Sequence, residues 1–117
     1  MRELEEALRL QPDYPEARNN LGNALAKAGR WADAVPQYEE ALRLRPQFPA
    51  AENNLGVTLE KIGRLAEGMA RLQALVAREP GYADAHYNLG LLLREAGRTQ
   101  EAERESLQAA RLRAGGR

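Results

Sequence analysis

The sequence predicts an all-α fold in which pairs of helices repeat along the chain. Strong helix formers, chiefly Arg, Ala, Leu and Glu, dominate its composition. The β-branched residues that favour strands are few. A tripeptide recurs at a fixed interval, and Gly and Pro recur at the same interval where helices would end. A fixed period of this kind is typical of stacked helical repeats.

The repeat has a period of 34 residues. Three independent motifs share this period, so the recurrence indicates a true structural repeat rather than chance. They are Asn-Leu-Gly at 20–22, 54–56 and 88–90, Gly-Arg at 29–30, 63–64 and 97–98, and proline at 12, 46 and 80.

Each motif predicts a boundary. The glycines at 29, 63 and 97 follow about one helix length of sequence, where a left-handed residue would close the helix. The prolines come after a second helical stretch and cannot continue it. The unit is therefore a helix, a tight turn, a second helix and a short loop. Connections this short make neighbouring helices pack antiparallel.

This pattern resembles the tetratricopeptide repeat, which has the same period. With each Asn-Leu-Gly glycine at the eighth position, we expect a single domain containing full repeats at 15–48, 49–82 and 83–117. Residues 1–14 would be the lone second helix of a partial repeat, because their partner helix is missing. The third repeat is expected to have a polar C-terminal end, with Gly115 and Gly116 outside any helix. The resemblance implies a right-handed superhelical solenoid.

Some positions depart from the family pattern. Gly68 and Leu75 stand on one helix face where alanines are usual. We interpret them as one smaller and one larger residue that together keep the buried volume roughly unchanged. Ser106 replaces a large apolar residue. Trp31, at the start of a second helix, is expected in the core. His86 is expected to be an ordinary helix residue.

Composition excludes several function classes. The 17 basic and 17 acidic residues give no net charge, which argues against nucleic-acid and membrane partners. No cysteine is present, and no paired histidines or Asp-rich loop suggests a metal. With one histidine and no catalytic constellation, we expect neither enzymatic activity nor a cofactor. The charged first residues do not form a signal peptide, so a cytoplasmic location is expected.

A protein or peptide partner remains, and the first helix of each repeat offers a face for it. Opposite the apolar stripe, a helical wheel gathers polar side chains. In the resembling family this face lines a concave groove. The predicted groove residues are Asn19, Asn20, Asn23, Lys27, Asn53, Asn54, Val57, Lys61, Asp84, Tyr87, Asn88 and Arg94.

The asparagines at 20, 54 and 88 recur one repeat apart and should form a row. Each amide both donates and accepts, so it can pair with a peptide unit. The row resembles the asparagine ladder of O-linked N-acetylglucosamine transferase repeats, which grips an extended peptide. The resembling family also has a second binding mode, the carboxylate clamp, in which Lys and Arg side chains of the groove hold an acidic C-terminal tail. This mode is disfavoured here, because the matching positions lack those cationic side chains and Asp84 would repel an acidic tail.

Alternatives stay open at this stage. The asparagines could instead pack against a neighbouring helix, and both roles could hold. The chain could be a fragment of a larger repeat protein or enzyme, in which it presents a substrate. It could also self-assemble as a homo-oligomer, with the partial repeat at 1–14 docking onto another copy.

Overall fold

A computed structural model describes Arg2 and residues 14–115 of the chain. Between residues 14 and 115 the regular structure is entirely α-helical. The predicted partial repeat at 1–14, apart from Arg2 and Tyr14, lies outside the described residues. The helices are α1 (Pro15–Lys27), α2 (Trp31–Leu44), α3 (Pro49–Lys61), α4 (Leu65–Arg78), α5 (Ala83–Glu95) and α6 (Thr99–Gly115).

The turns inside the helix pairs confirm the role predicted for the glycines. Gly29, Gly63 and Gly97 have φ values of 79°, 85° and 82°, a left-handed region that favours glycine. After the first of them, the amide of Arg30 donates to the carbonyl of Leu25 at 2.8 Å. This is the bond of a Schellman motif, and it satisfies a carbonyl that the helix end leaves free.

The glycine of each Asn-Leu-Gly motif lies where the two helices of a pair come closest. A Cβ on Gly22 would stand 2.6 Å from Cε1 of Tyr38, and one on Gly56 would stand 2.7 Å from Cγ of Leu72. Glycine therefore leaves room for a side chain of the second helix. In the third pair that side chain is the small Ser106, whose Oγ would be 2.8 Å from a Cβ on Gly90.

Apolar side chains join neighbouring pairs into a continuous array. One buried cluster combines α1 and α2 with Leu55 and Leu59 of α3. A second cluster combines Leu72 and Leu75 of α4 with α5 and α6. Each cluster therefore spans a boundary between repeats, as a solenoid requires when one pair cannot bury its own apolar face. The predicted helical-repeat solenoid is confirmed.

His86 is more constrained than we expected from the sequence. It is buried, its Nε2 donates to the carbonyl of Pro80 at 2.8 Å, and its Nδ1 lies 2.6 Å from Oε1 of Glu105. These two contacts connect α5 to the loop that precedes it and to α6, the second helix of the same pair.

The C-terminal helix is longer than we expected. It runs to Gly115, so the prediction that this residue lies outside any helix is wrong. The sequence of Ala, Leu and Arg before it contains no helix breaker. Arg113 also pairs with Asp84 of α5 at 3.2 Å. Gly116 is not among the described residues.

Gly68 has a packing reason that the sequence did not reveal. A Cβ at this position would lie 2.5 Å from the carbonyl oxygen of Gly56 and 3.1 Å from Cδ2 of Leu92. The residue therefore permits a backbone contact between α3 and α4, in addition to any exchange of volume with the buried Leu75.

We expect Gly68→Ala to lower the free energy of unfolding by about 1–3 kcal/mol, because overpacking outweighs the helix propensity that alanine adds. Gly81→Ala is the matched control, since a Cβ there would meet nothing within 4 Å. Urea unfolding followed by circular dichroism measures both. Equal stability of the two variants would contradict the close contact between α3 and α4.

Candidate functional site

Asparagine amides link the first helices of successive repeats. Nδ2 of Asn54 donates to Oδ1 of Asn19 at 3.2 Å and to Oδ1 of Asn23 at 2.9 Å. One repeat later, Nδ2 of Asn88 donates to Oδ1 of Asn53 at 3.1 Å. Both sets of bonds connect adjacent first helices and help to hold them in register.

The asparagines predicted for the groove differ in how deeply they are buried. Asn19 and Asn53 are only 6% and 7% exposed, so their side chains belong to the contact between repeats. Asn20 is exposed, whereas Asn54 and Asn88 are half-buried. The row at 20, 54 and 88 therefore runs from an open amide to amides already bonded within the protein.

A depression of about 260 Å³ opens between these amides. Helices α1, α2, α3 and α5 all contribute to it, so it exists only when three repeats stack. Its lining residues are Asn23, Ala26, Trp31, Tyr38, Asn54, Val57, Thr58 and Asn88. We call it the amide depression.

Tyr38 supports the amide depression from below. Its side chain is buried, and its hydroxyl donates to Oδ1 of Asn23 at 2.7 Å. Burial raises the pKa of Tyr38 to about 12, so the hydroxyl keeps its proton at neutral pH. Thr58 donates to the backbone carbonyl of Asn54 at 2.7 Å and steadies the other wall.

Charges of both signs flank the amide depression. Nζ of Lys61 lies 5.7 Å from the centre of the Trp31 ring and 3.8 Å from Oε1 of Glu60. A side-chain hydrogen bond to the Glu60 carboxyl raises the pKa of Glu95 above its ordinary value. Lys27 and Arg94, also predicted for the groove, are exposed.

The third repeat contributes an aromatic and apolar end. Tyr87 is 43% exposed and Leu91 is 42% exposed, both large side chains open to solvent. The guanidinium of Arg113 lies 5.0 Å from the centre of the Tyr87 ring and pairs with exposed Asp84. Val57 is half-buried and belongs to the amide depression.

Several lining residues were missed by sequence reasoning. Trp31 was expected in the core, but it is partly buried and forms one wall of the amide depression. The sequence did contain one signal for this role: α2 begins with a large aromatic ring, whereas the corresponding helices of the next pairs begin with Leu65 and Thr99. Tyr38 and Thr58 were not predicted for the groove, because the bond from Tyr38 to Asn23 crosses between helices and the hydroxyl of Thr58 bonds to the backbone of its own helix.

Two sequence models of the same repeat match the chain. One, described as TPR repeat, matches residues 1–29 and 22–63, and the other, described as tetratricopeptide repeat, matches residues 53–117. The second covers more than half of the chain. The chain belongs to the tetratricopeptide repeat family. Repeats of this family are generally protein-interaction modules, and the match supports a protein-interaction module here.

Solved structures with the same fold agree with this assignment. MamA from Desulfovibrio magneticus RS-1 is 32% identical, with a TM-score of 0.83 over 95% of this chain and 63% of that one. YrrB, described as a TPR protein with an unusual peptide-binding site, is 27% identical, with a TM-score of 0.82 over 93% of this chain and 56% of that one. The chain thus spans about three fifths of the length of these relatives.

A shorter structure has the fold over nearly its whole length. The second TPR of Spaghetti (RPAP3), solved with an HSP90 peptide, is 17% identical, with a TM-score of 0.79 over 87% of this chain and 95% of that one. At this identity the likeness concerns the fold alone. A comparison with curated proteins found no match. None of the helices within the described residues has the length and apolar character to cross a membrane.

The inter-repeat amide bonds can be tested by comparing equivalent asparagines. Asn88→Ala removes the donor to the buried Asn53 oxygen, so we expect it to destabilise the fold by about 1–2 kcal/mol. Asn20→Ala changes an exposed amide at the same repeat position and should cost less than about 0.5 kcal/mol. Chemical unfolding of the two variants gives the comparison. An equal cost at both positions would contradict a stabilising role for the bond.

The Glu60–Glu95 contact predicts a pH dependence. A carboxyl whose pKa is raised on folding favours its protonated form, so its contribution to stability falls as pH rises through that pKa. We therefore expect Glu95→Gln to raise Tm at neutral pH and to change it little near about pH 4. Glu103→Gln, which removes an exposed carboxylate on α6, should lack this difference. A pH-independent effect of Glu95→Gln on Tm would contradict the prediction.

Proposed function

We propose that this chain binds an extended peptide segment of a partner protein along the exposed side of α1, α3 and α5. The observation that carries the proposal is the amide depression, a concave polar surface of about 260 Å³ that three stacked repeats build together. Small concave sites with a few well-placed polar groups are the usual places for ligands.

The amides suit a peptide backbone. A peptide unit offers one N–H and one carbonyl, and each asparagine can donate and accept. Asn20 is exposed and its amide has no hydrogen-bond partner within residues 14–115, whereas the amides of Asn54 and Asn88 already donate to neighbouring repeats. The proposed ladder therefore uses the open amide of Asn20 and the remaining polar atoms of Asn54 and Asn88. We exclude Asn19 and Asn53 from it because they are buried.

The exposed end of the groove suits a side-chain anchor. Tyr87 and Leu91 place a large apolar area beside the polar depression. Tyrosine is among the residues that most often contribute strongly to interfaces. A bound segment could thus be held by its backbone near α1 and α3 and by a side chain near α5. YrrB, which shares the fold at 27% identity, is described as having a peptide-binding site.

The alternatives concern the setting of this activity. Presenting a substrate within a longer protein would use the same groove, so it does not compete with peptide binding. Self-assembly through residues 1–14 depends on a segment that is largely outside the described residues, and no observation favours it here.

We expect short peptides selected from a displayed random library to bind this groove and to change the fluorescence of Trp31, the single tryptophan of the chain. Tyr87→Ala should weaken their binding about tenfold, and Asn20→Ala should weaken it measurably, because both side chains are exposed contacts rather than structural ones. Gln73→Ala, on the exposed side of α4, should leave the affinity unchanged.

Circular dichroism must show the same helix content in all three variants. Selected peptides that bind equally well to the wild-type protein and to the Tyr87 and Asn20 variants would overturn the proposed groove.

A further inference from the structure

The amide depression contains two polar groups with unused hydrogen-bonding capacity. Asn54 donates both N–H bonds of its amide, to Asn19 and to Asn23, and its Oδ1 has no partner within residues 14–115. Oδ1 of Asn23 accepts from both Tyr38 and Asn54, which uses its two lone pairs. Its Nδ2 has no partner in the same part of the chain. The pair therefore offers one donor group and one acceptor group.

This complementarity does not depend on which asparagine has which role. If the oxygen and nitrogen of the side-chain amides of Asn19, Asn23 and Asn54 are exchanged together, Asn54 accepts twice and Asn23 donates twice. Asn23 then retains the free acceptor and Asn54 the free donor. One donor and one acceptor still lie side by side, because the two amides are joined at 2.9 Å.

The walls around this pair favour a side chain with an apolar stem. Ala26 and Val57 provide aliphatic surface, and the Trp31 ring provides a flat face. The volume of about 260 Å³ would otherwise hold several waters, each taking up about 30 Å³ in the liquid. A side chain that combines an apolar stem with a polar planar head can replace those waters and keep their hydrogen bonds.

Hydrogen-bonding capacity, rather than charge, distinguishes among the candidate polar heads. Lys61 beside the Trp31 ring is accompanied by the carboxyl groups of Glu60 and, one repeat later, Glu95, so charges of both signs lie at this end. A carboxylate only accepts hydrogen bonds and would face the free oxygen of Asn54. An ammonium only donates and would face the free amino group of Asn23. A carboxamide donates and accepts, so it matches both.

We propose that the amide depression is a subsite for a carboxamide side chain, glutamine or asparagine, of the bound peptide. This inference rests on the proposed peptide-binding function and adds a side-chain preference to it. Asn23 and Asn54 hydrogen-bond the carboxamide, and Trp31 and Val57 cover its stem. A groove that reads only the backbone would accept any side chain at this point.

The first experiment uses peptides selected by display on the full chain as probes. We expect enrichment of Gln or Asn at one peptide position. Replacing that residue by Glu, Leu or Lys in a synthetic copy should weaken binding about tenfold or more, since each leaves polar groups of the depression unpaired. Isothermal titration calorimetry measures the affinities.

The second experiment exchanges the donor for an acceptor in the protein. Asn23→Asp preserves the shape of the side chain, and one carboxylate oxygen still accepts from Tyr38 and Asn54. The other oxygen replaces the free amino group. We expect the Gln peptide to lose about tenfold in affinity and the Lys copy to gain. Gln73→Glu, an exposed change of equal charge on α4, should alter neither affinity.

The outcomes separate the two proposals. Enrichment of Gln or Asn, together with the switch in Asn23→Asp, supports the subsite. Peptides that bind through Tyr87 and Asn20 but tolerate every residue at each position overturn the subsite and leave the proposed function standing. If no peptide binds, the proposed function fails and the subsite fails with it.

Discussion

The two helices of each pair pack in close contact, and the alignment of the whole array follows from this packing. The glycine of Asn-Leu-Gly admits a side chain of the second helix, Tyr38 or Leu72, almost to the backbone of the first. A side chain on that glycine would push the helices apart. The asparagine two residues before it would then move relative to the preceding repeat, because Asn54 and Asn88 bond to the preceding first helix.

Asparagine serves structure and recognition in this array, and burial separates the two roles. Asn19 and Asn53 lie inside the contact between repeats, where an unpaired amide would be costly. Asn20 lies outside it. Asn54 belongs to both groups, because its N–H bonds hold the array together while its side chain lines the amide depression and its oxygen has no partner within residues 14–115. Aligning repeats by residue type alone would give all these asparagines one role.

The candidate site was predictable in outline and not in detail. The helical period placed Asn23, Asn54, Val57 and Asn88 on one face, and the structure brings them together around the amide depression. The helical period did not predict Trp31 at this depression, because an aromatic residue at a helix start can turn toward either the core or the groove. Which side it takes depends on neighbouring helices, including the position of Lys61 one repeat later.

The helix pairs, their period and their glycine turns could be predicted from the amino-acid sequence, because these follow from backbone propensity and from patterns within one repeat. The stacking of the helices was needed to show which asparagines are buried and which polar atoms remain unpaired. Those properties depend on bonds between residues 31 to 35 positions apart, which form once the repeats have stacked. The backbone contact at Gly68 likewise arises from the approach of two helices, which a period in the sequence does not measure.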